Sequence, residues 1–166
     1  MKKIFFLIII CVVIISCQKS ETKFINLKKH SGAGLFDRGN NEGKKFAYRS
    51  VLIENPPVQK NDLIKSLVKY KNENLNDINK KSDLYSISVF FYQKNSSTSY
   101  FIENSDDPGG FSNQILHDYY QKFGIGEITI DRCENDKNKW TFKISYFDDQ
   151  RNVQDTILNE CIINKK

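Results

Sequence analysis

Trp140-Thr141-Phe142-Lys143-Ile144-Ser145-Tyr146 alternates apolar and polar residues without a break. Successive side chains of a strand point to opposite faces, so this alternation predicts a strand with one buried face. On its N-terminal side, Ile125 to Cys133 reads as another strand, joined to it by the polar turn Glu134 to Asn138. On its C-terminal side, Asp148-Asp149-Gln150 turns the chain into a last strand, about Val153 to Ile163. The final third is therefore β-rich, and the rest of the chain has to supply whatever covers that sheet.

Further upstream the periodicity changes. Ser112 can cap a helix that places Ile115, Leu116, Tyr119, Tyr120 and Phe123 on one side, with Gly124 closing it. The turn signal Asp106-Asp107-Pro108-Gly109-Gly110 precedes it. Leu84 to Tyr92 puts Tyr85, Ile87, Val89 and Phe91 on one strand face, and a hairpin through Lys94 to Ser97 leads to Thr98–Glu103. Leu63, Ile64, Leu67, Val68, Leu75 and Ile78 recur at helical spacing after a cap at Asn61, with fraying expected over 72 to 79. Phe46 to Ile53 is rich in strand formers and stops at Pro56-Pro57.

The expected class is α+β, in the order β-α-β-β-α-β-β-β. The prediction is an antiparallel sheet of about six strands with two helices on one face. The first six elements match the ferredoxin-like split βαβ arrangement, and the last two strands extend it as a C-terminal hairpin. Three segments follow along the chain: residues 1–16, residues 17–43 and a single domain over 44–166. The middle segment, with Gly32, Gly34, Gly39 and Gly43 and little periodicity, reads as a flexible tether that lifts the domain off a membrane.

The first segment carries the clearest signal. Met1-Lys2-Lys3 is a short positive start, followed by twelve apolar residues from Ile4 to Ile15 and then Ser16-Cys17. A span of ~20 residues is needed to cross a bilayer, so this run fits the apolar core of a signal peptide instead. Ile14-Ile15-Ser16-Cys17 resembles the lipobox of bacterial lipoproteins, with Ile14 where that pattern prefers Leu. The resemblance covers residues 1 to 17. It implies cleavage before Cys17, acylation of that cysteine, and attachment to a lipid bilayer in the cell envelope. Each buried methylene contributes ~0.8 kcal/mol, and two chains suffice for stable anchoring. Gln18 follows the cysteine where inner-membrane lipoproteins often carry Asp, so the resemblance favours the outer membrane.

Removal of residues 1–16 lowers the formal charge from +5 to +3, because Lys2 and Lys3 leave. Residues 17–94 carry 15 Lys/Arg against 8 Asp/Glu, while 95–166 carry 8 against 12. No run of like charge marks a nucleic-acid surface, and an envelope address argues against such a partner. Cys133 and Cys161 remain as thiols without lipid. An oxidising compartment favours a disulfide between them. Against it, two strands' separation at ~4.8 Å per strand gives about 10 Å, beyond the ~7 Å limit for a bridge. Both states stay open on sequence.

No catalytic constellation is legible. His30 falls in the tether and His117 lies beside Asp118 between the apolar positions of a helix, so a zinc site lacks ligands and a Cys–His pair lacks support. Asp106, Asp107, Asp131, Glu134 and Asp136 lack the ligand spacing of a calcium loop. No cofactor is expected. The aromatic content of 13% suggests a binding face on the sheet, with Tyr92, Trp140 and Phe147 as its candidates. The expected function is a non-catalytic binding or accessory module for a protein partner, of immunity or inhibitor type. The alternative is a small hydrolase using carboxylate and His117 chemistry.

Overall fold

A computed structural model describes residues 21–75, 83–96, 98, 122–134, 136, 138–147, 153–159 and 161. Within them run β1 (Lys23–Leu35), β2 (Lys45–Glu54), α1 (Lys60–Asn74), β3 (Ser86–Gln93), β4 (Gly124–Arg132), β5 (Trp140–Phe147) and β6 (Val153–Asn159). The six strands form one sheet in the order β1-β2-β3-β4-β5-β6. Every neighbouring pair is antiparallel except β2 and β3, which run parallel with Phe46 opposite Ser86 and Ile53 opposite Gln93. α1 lies between those two strands in the chain, as a parallel connection requires.

The α+β class and the six-stranded, mostly antiparallel sheet agree with expectation. The finer arrangement differs. In a split βαβ unit another strand separates the two strands that flank the helix. Here β2 and β3 are direct neighbours, so the described strands do not form a ferredoxin-like order. The expected hairpin partner of β3, Thr98–Glu103, lies outside the described residues apart from Thr98, and β3 pairs with β4. The expected second helix also lies outside them, except for Lys122 and Phe123, which are helical.

α1 begins one residue before the expected cap. Gln59 occupies the cap position, and its carbonyl accepts from the Asp62 and Leu63 amides at 3.0 and 2.9 Å. Asp62 in the first turn and Lys71 in the last both complement the helix dipole. Leu63, Leu67 and Tyr70 are buried and face the sheet. With them pack Val51, Ile53, Ile87, Val89, Phe91, Ile128, Ile130, Phe142, Ile144 and Tyr146, the alternate residues of β2 to β5. The other face of the same strands carries Ser50, Ser86, Ser88, Glu127, Thr129, Lys143 and Ser145, the intervening positions.

The largest departure from the sequence reading is β1, which occupies Lys23–Leu35 within the stretch expected as a flexible tether. Three contacts explain it. Leu27 is buried, and the Phe24 ring stands 4.9 Å from Tyr70 and 6.1 Å from Phe91. The Tyr70 hydroxyl donates to Asn26 Oδ1 at 2.6 Å, joining helix to edge strand. Gly32 and Gly34 then pair with Tyr48 and Phe46, whose rings lie where glycine side chains would be: a Cβ would meet ring carbons at 3.2 and 3.1 Å. Aromatic rings laid over strand glycines stabilise an edge that glycine alone weakens. The glycines are thus seats for rings. A bulge between Leu27 and Gly32 is closed by Ser31, whose hydroxyl donates to the Leu27 carbonyl at 2.8 Å and accepts from the Ser50 amide at 3.3 Å.

His30 lies at that bulge and is buried, and burial holds its pKa below the ordinary histidine value. The unfolded chain therefore takes up a proton near pH 6.5 that the folded chain refuses. Stability is expected to hold between pH 8 and 7 and to fall as pH drops below about 6.5, with a slope of at most ~1.4 kcal/mol per pH unit for one proton. Urea denaturation at pH 7.5, 6.5 and 5.5 checks this, and His30→Gln should flatten the dependence over that interval.

Candidate functional site

The loop between β1 and β2 turns through Gly39 and Gly43, at φ 81° and 75°, backbone that only glycine adopts freely. It is closed by hydrogen bonds from the Phe36 amide to the Lys44 carbonyl (3.0 Å) and from the Gly43 amide to the Phe36 carbonyl (2.9 Å). Beside it, the Tyr85 amide donates to the Lys45 carbonyl at 2.7 Å and the Arg132 amide donates to the Tyr85 carbonyl at 2.8 Å. These bonds carry the ladder one residue past the start of β3, between the end residues of β2 and β4, and hold the flanking residues around a cleft.

That cleft has a volume of about 500 Å³, within the range of ligand sites. Lys44, Lys45, Asp83, Tyr85, Arg132 and Glu134 supply its chemistry. Lys44 Nζ lies 3.9 Å from the centre of the Tyr85 ring, 2.9 Å from Asn41 Oδ1 and 3.9 Å from Glu134 Oε1. Lys45 is ion-paired with Asp83, and its hydrogen bond is the main cause that holds the Asp83 carboxyl below its ordinary pKa. The Arg132 guanidinium stacks 4.8 Å from the centre of the Trp140 ring. Mixed charge around an aromatic floor suits a polar side chain or peptide segment. Among the described residues that line it, Lys45 and Asp83 are paired with each other and the cysteine at its edge is oxidised.

That cysteine is Cys133, bonded to Cys161 with their Cα atoms 5.8 Å apart. The expectation of about 10 Å assumed two positions still on parallel-running strands. Both cysteines instead lie past their strands, after Arg132 of β4 and after Asn159 of β6, where the chain is free to close over the start of β5. A bulge between Phe142 and Lys143 helps bring β6 round, and Thr141 Oγ1 lies 2.9 Å from Cys161 Sγ.

No protein-family model, curated protein or solved structure matches this chain. The site must be read from its own groups.

The three aromatics expected to share a binding face do not. Tyr92 is buried, which pushes its phenol well above the usual value, with the Ser50 hydroxyl beside it. Trp140 is half-buried on the opposite face, against the helix-side core. Phe147 is half-buried at the other end of β5. One residue of parity separates Trp140 from Phe147, and that is enough to put them on different sides. Cys17 and His117 lie outside the described residues.

Asp131 is a sheet residue, accepting from Ser86 Oγ at 2.6 Å, and no group of three His, Cys, Asp or Glu among the described residues is placed to hold a metal ion. Glu127, in the middle of the polar face, has its carboxyl raised above the ordinary value, first by burial, with hydrogen bonds from Ser88 and Thr129 opposing. Thr129 Oγ1 lies 3.2 Å from Glu127 Oε1. Sequence reasoning missed the cleft residues because Lys44, Lys45, Asp83 and Arg132 are distant in the chain. The one signal was their position at or just outside strand ends, where loops carry function.

Proposed function

We propose that the protein is an exported lipoprotein, held to an envelope membrane by acyl chains on Cys17, whose domain is a non-catalytic module that binds a protein partner, of immunity or inhibitor type, through the cleft at the start of β2 and β3. The observation that carries the reading is the Cys133–Cys161 disulfide. Such bonds persist outside the reducing cytoplasm, the destination that a lipobox-type leader implies. The cleft supports the binding half, since Lys44, Tyr85, Arg132 and Glu134 offer charge and an aromatic surface at one place.

The test has two arms. Cells fed radiolabelled palmitate are expected to label the wild-type chain, while Cys17→Ser loses the label and accumulates as the longer precursor. Partner capture from envelope extract is expected with the lipidated chain and to weaken about tenfold or more with Lys44→Glu/Arg132→Glu, a loss of ~1.4 kcal/mol or greater. Equal capture by both proteins would remove the cleft from the proposal.

A further inference from the structure

Asn55 ties the start of the described chain to the far end of the sheet. Its backbone stands at φ 52°, in the left-handed region that Asn tolerates better than most residues. There its carbonyl accepts from Thr22 Oγ1 at 3.0 Å, and its Nδ2 donates to the Glu21 carbonyl at 3.3 Å. Glu21 is therefore fastened to the connection between β2 and α1. Only Gln18, Lys19 and Ser20 separate it from Cys17. At ~3.6 Å per residue, the Cys17 Cα lies within about 14 Å of that of Glu21.

The tether expected to raise the domain is thus short. The polar layer on each side of a bilayer is about 5–8 Å deep, so acyl chains on Cys17 bring this end of the sheet to the lipid surface. The connection that arrives there is Asn55-Pro56-Pro57-Val58-Gln59. Val58 is 97% exposed, the most exposed large apolar residue among those described. Pro56 and Pro57 have no amide proton, so this loop carries fewer backbone donors to desolvate than another of its length. Lys23, Lys60 and Lys65 stand exposed around it, but Glu21 and Asp62 offset them, so apolar contact outweighs charge.

We infer that loop 55–59 is a membrane-docking surface, with Val58 at its tip entering the headgroup layer of the bilayer that holds the acyl chains. This rests on the lipoprotein reading. It sets the strands with the ends of β2 and β3 toward lipid and the cleft with its disulfide facing away.

The full chain, lipidated on Cys17, is reconstituted into vesicles of phosphatidylcholine with and without brominated acyl chains. Trp140, the single tryptophan, lies at the cleft end of β5 and serves as the internal reference. In Val58→Trp the added indole is expected to lose about half its emission to the brominated lipid, since docked side chains sit ~5–10 Å into the interface. The parent protein should show little quenching. A protein that floats with vesicles while Trp at position 58 stays unquenched overturns the docking surface and leaves the lipoprotein reading standing. A protein that acquires no lipid and does not float overturns both.

Discussion

Cys133→Ala/Cys161→Ala is expected to lower stability by about 3.6 kcal/mol, from the entropy a closed loop of this size removes from the unfolded chain. The bond spans 28 residues and encloses the rest of the β4–β5 hairpin together with β6. β6 is an edge strand that pairs with β5 among the described strands, so the bond is a second attachment at that end. Guanidinium titrations of oxidised wild type and of the double variant measure the difference. Dithiothreitol should shift wild type toward the variant and leave the variant unchanged. A shift under 1 kcal/mol, with ~1 kcal/mol as the scale of an ordinary substitution, would show that β6 is held by its ladder alone.

Gly126→Ala is expected to cost about 3 kcal/mol, at the upper end of what overpacking a core does. The reason is backbone against backbone. A Cβ at Gly126 would stand 2.5 Å from the Ser145 carbonyl oxygen and 3.2 Å from the Tyr146 Cα. No rotamer relieves that contact, because neither atom belongs to a movable side chain. Gly126 also pairs with Phe91 on β3 and Tyr146 on β5, so β4 cannot retreat from one neighbour without pressing on the other. Thermal denaturation of the variant checks the cost. Gly39→Ala is the useful comparison: no atom lies within 4 Å of its added Cβ, so only the positive φ penalises it.

Much of the sheet was readable as pattern. β5 and β4 were predicted to within a residue because their alternation reflects a single real difference, an apolar face against α1 and a serine- and threonine-rich face opposite. α1 was readable for the same reason at a different period, though Tyr70, buried with its hydroxyl on Asn26, was not among the residues the spacing picked out. What failed was whatever depended on a partner distant in the chain. β1 looked unstructured because glycine has no side chain to alternate, and its stabilising rings belong to β2. The disulfide stayed open because strand spacing says nothing of how chains turn after strands end. In the candidate binding face, parity puts Trp140 on the other side of the sheet from Tyr92 and Phe147, and burial withdraws Tyr92. Tyr92, Trp140 and Phe147 were chosen as aromatics on strands, and residue type does not tell which side of a sheet a residue occupies. The cleft was illegible because three separate strand ends assemble it.

The unbroken strand order has a consequence for how the chain comes into being. Each described strand pairs with the described strand or strands next to it in the sequence, and the one parallel step is bridged by α1. Contacts close in the chain favour rapid folding, because little loop entropy is spent before each pairing is rewarded. A polypeptide emerging N-terminus first meets, at each stage, an edge already formed and waiting for the next strand. β1 and β2 can zip before β5 exists, and the bond from Cys133 can close only after β6 has arrived. The strand order thus permits vectorial assembly, with the covalent lock falling last.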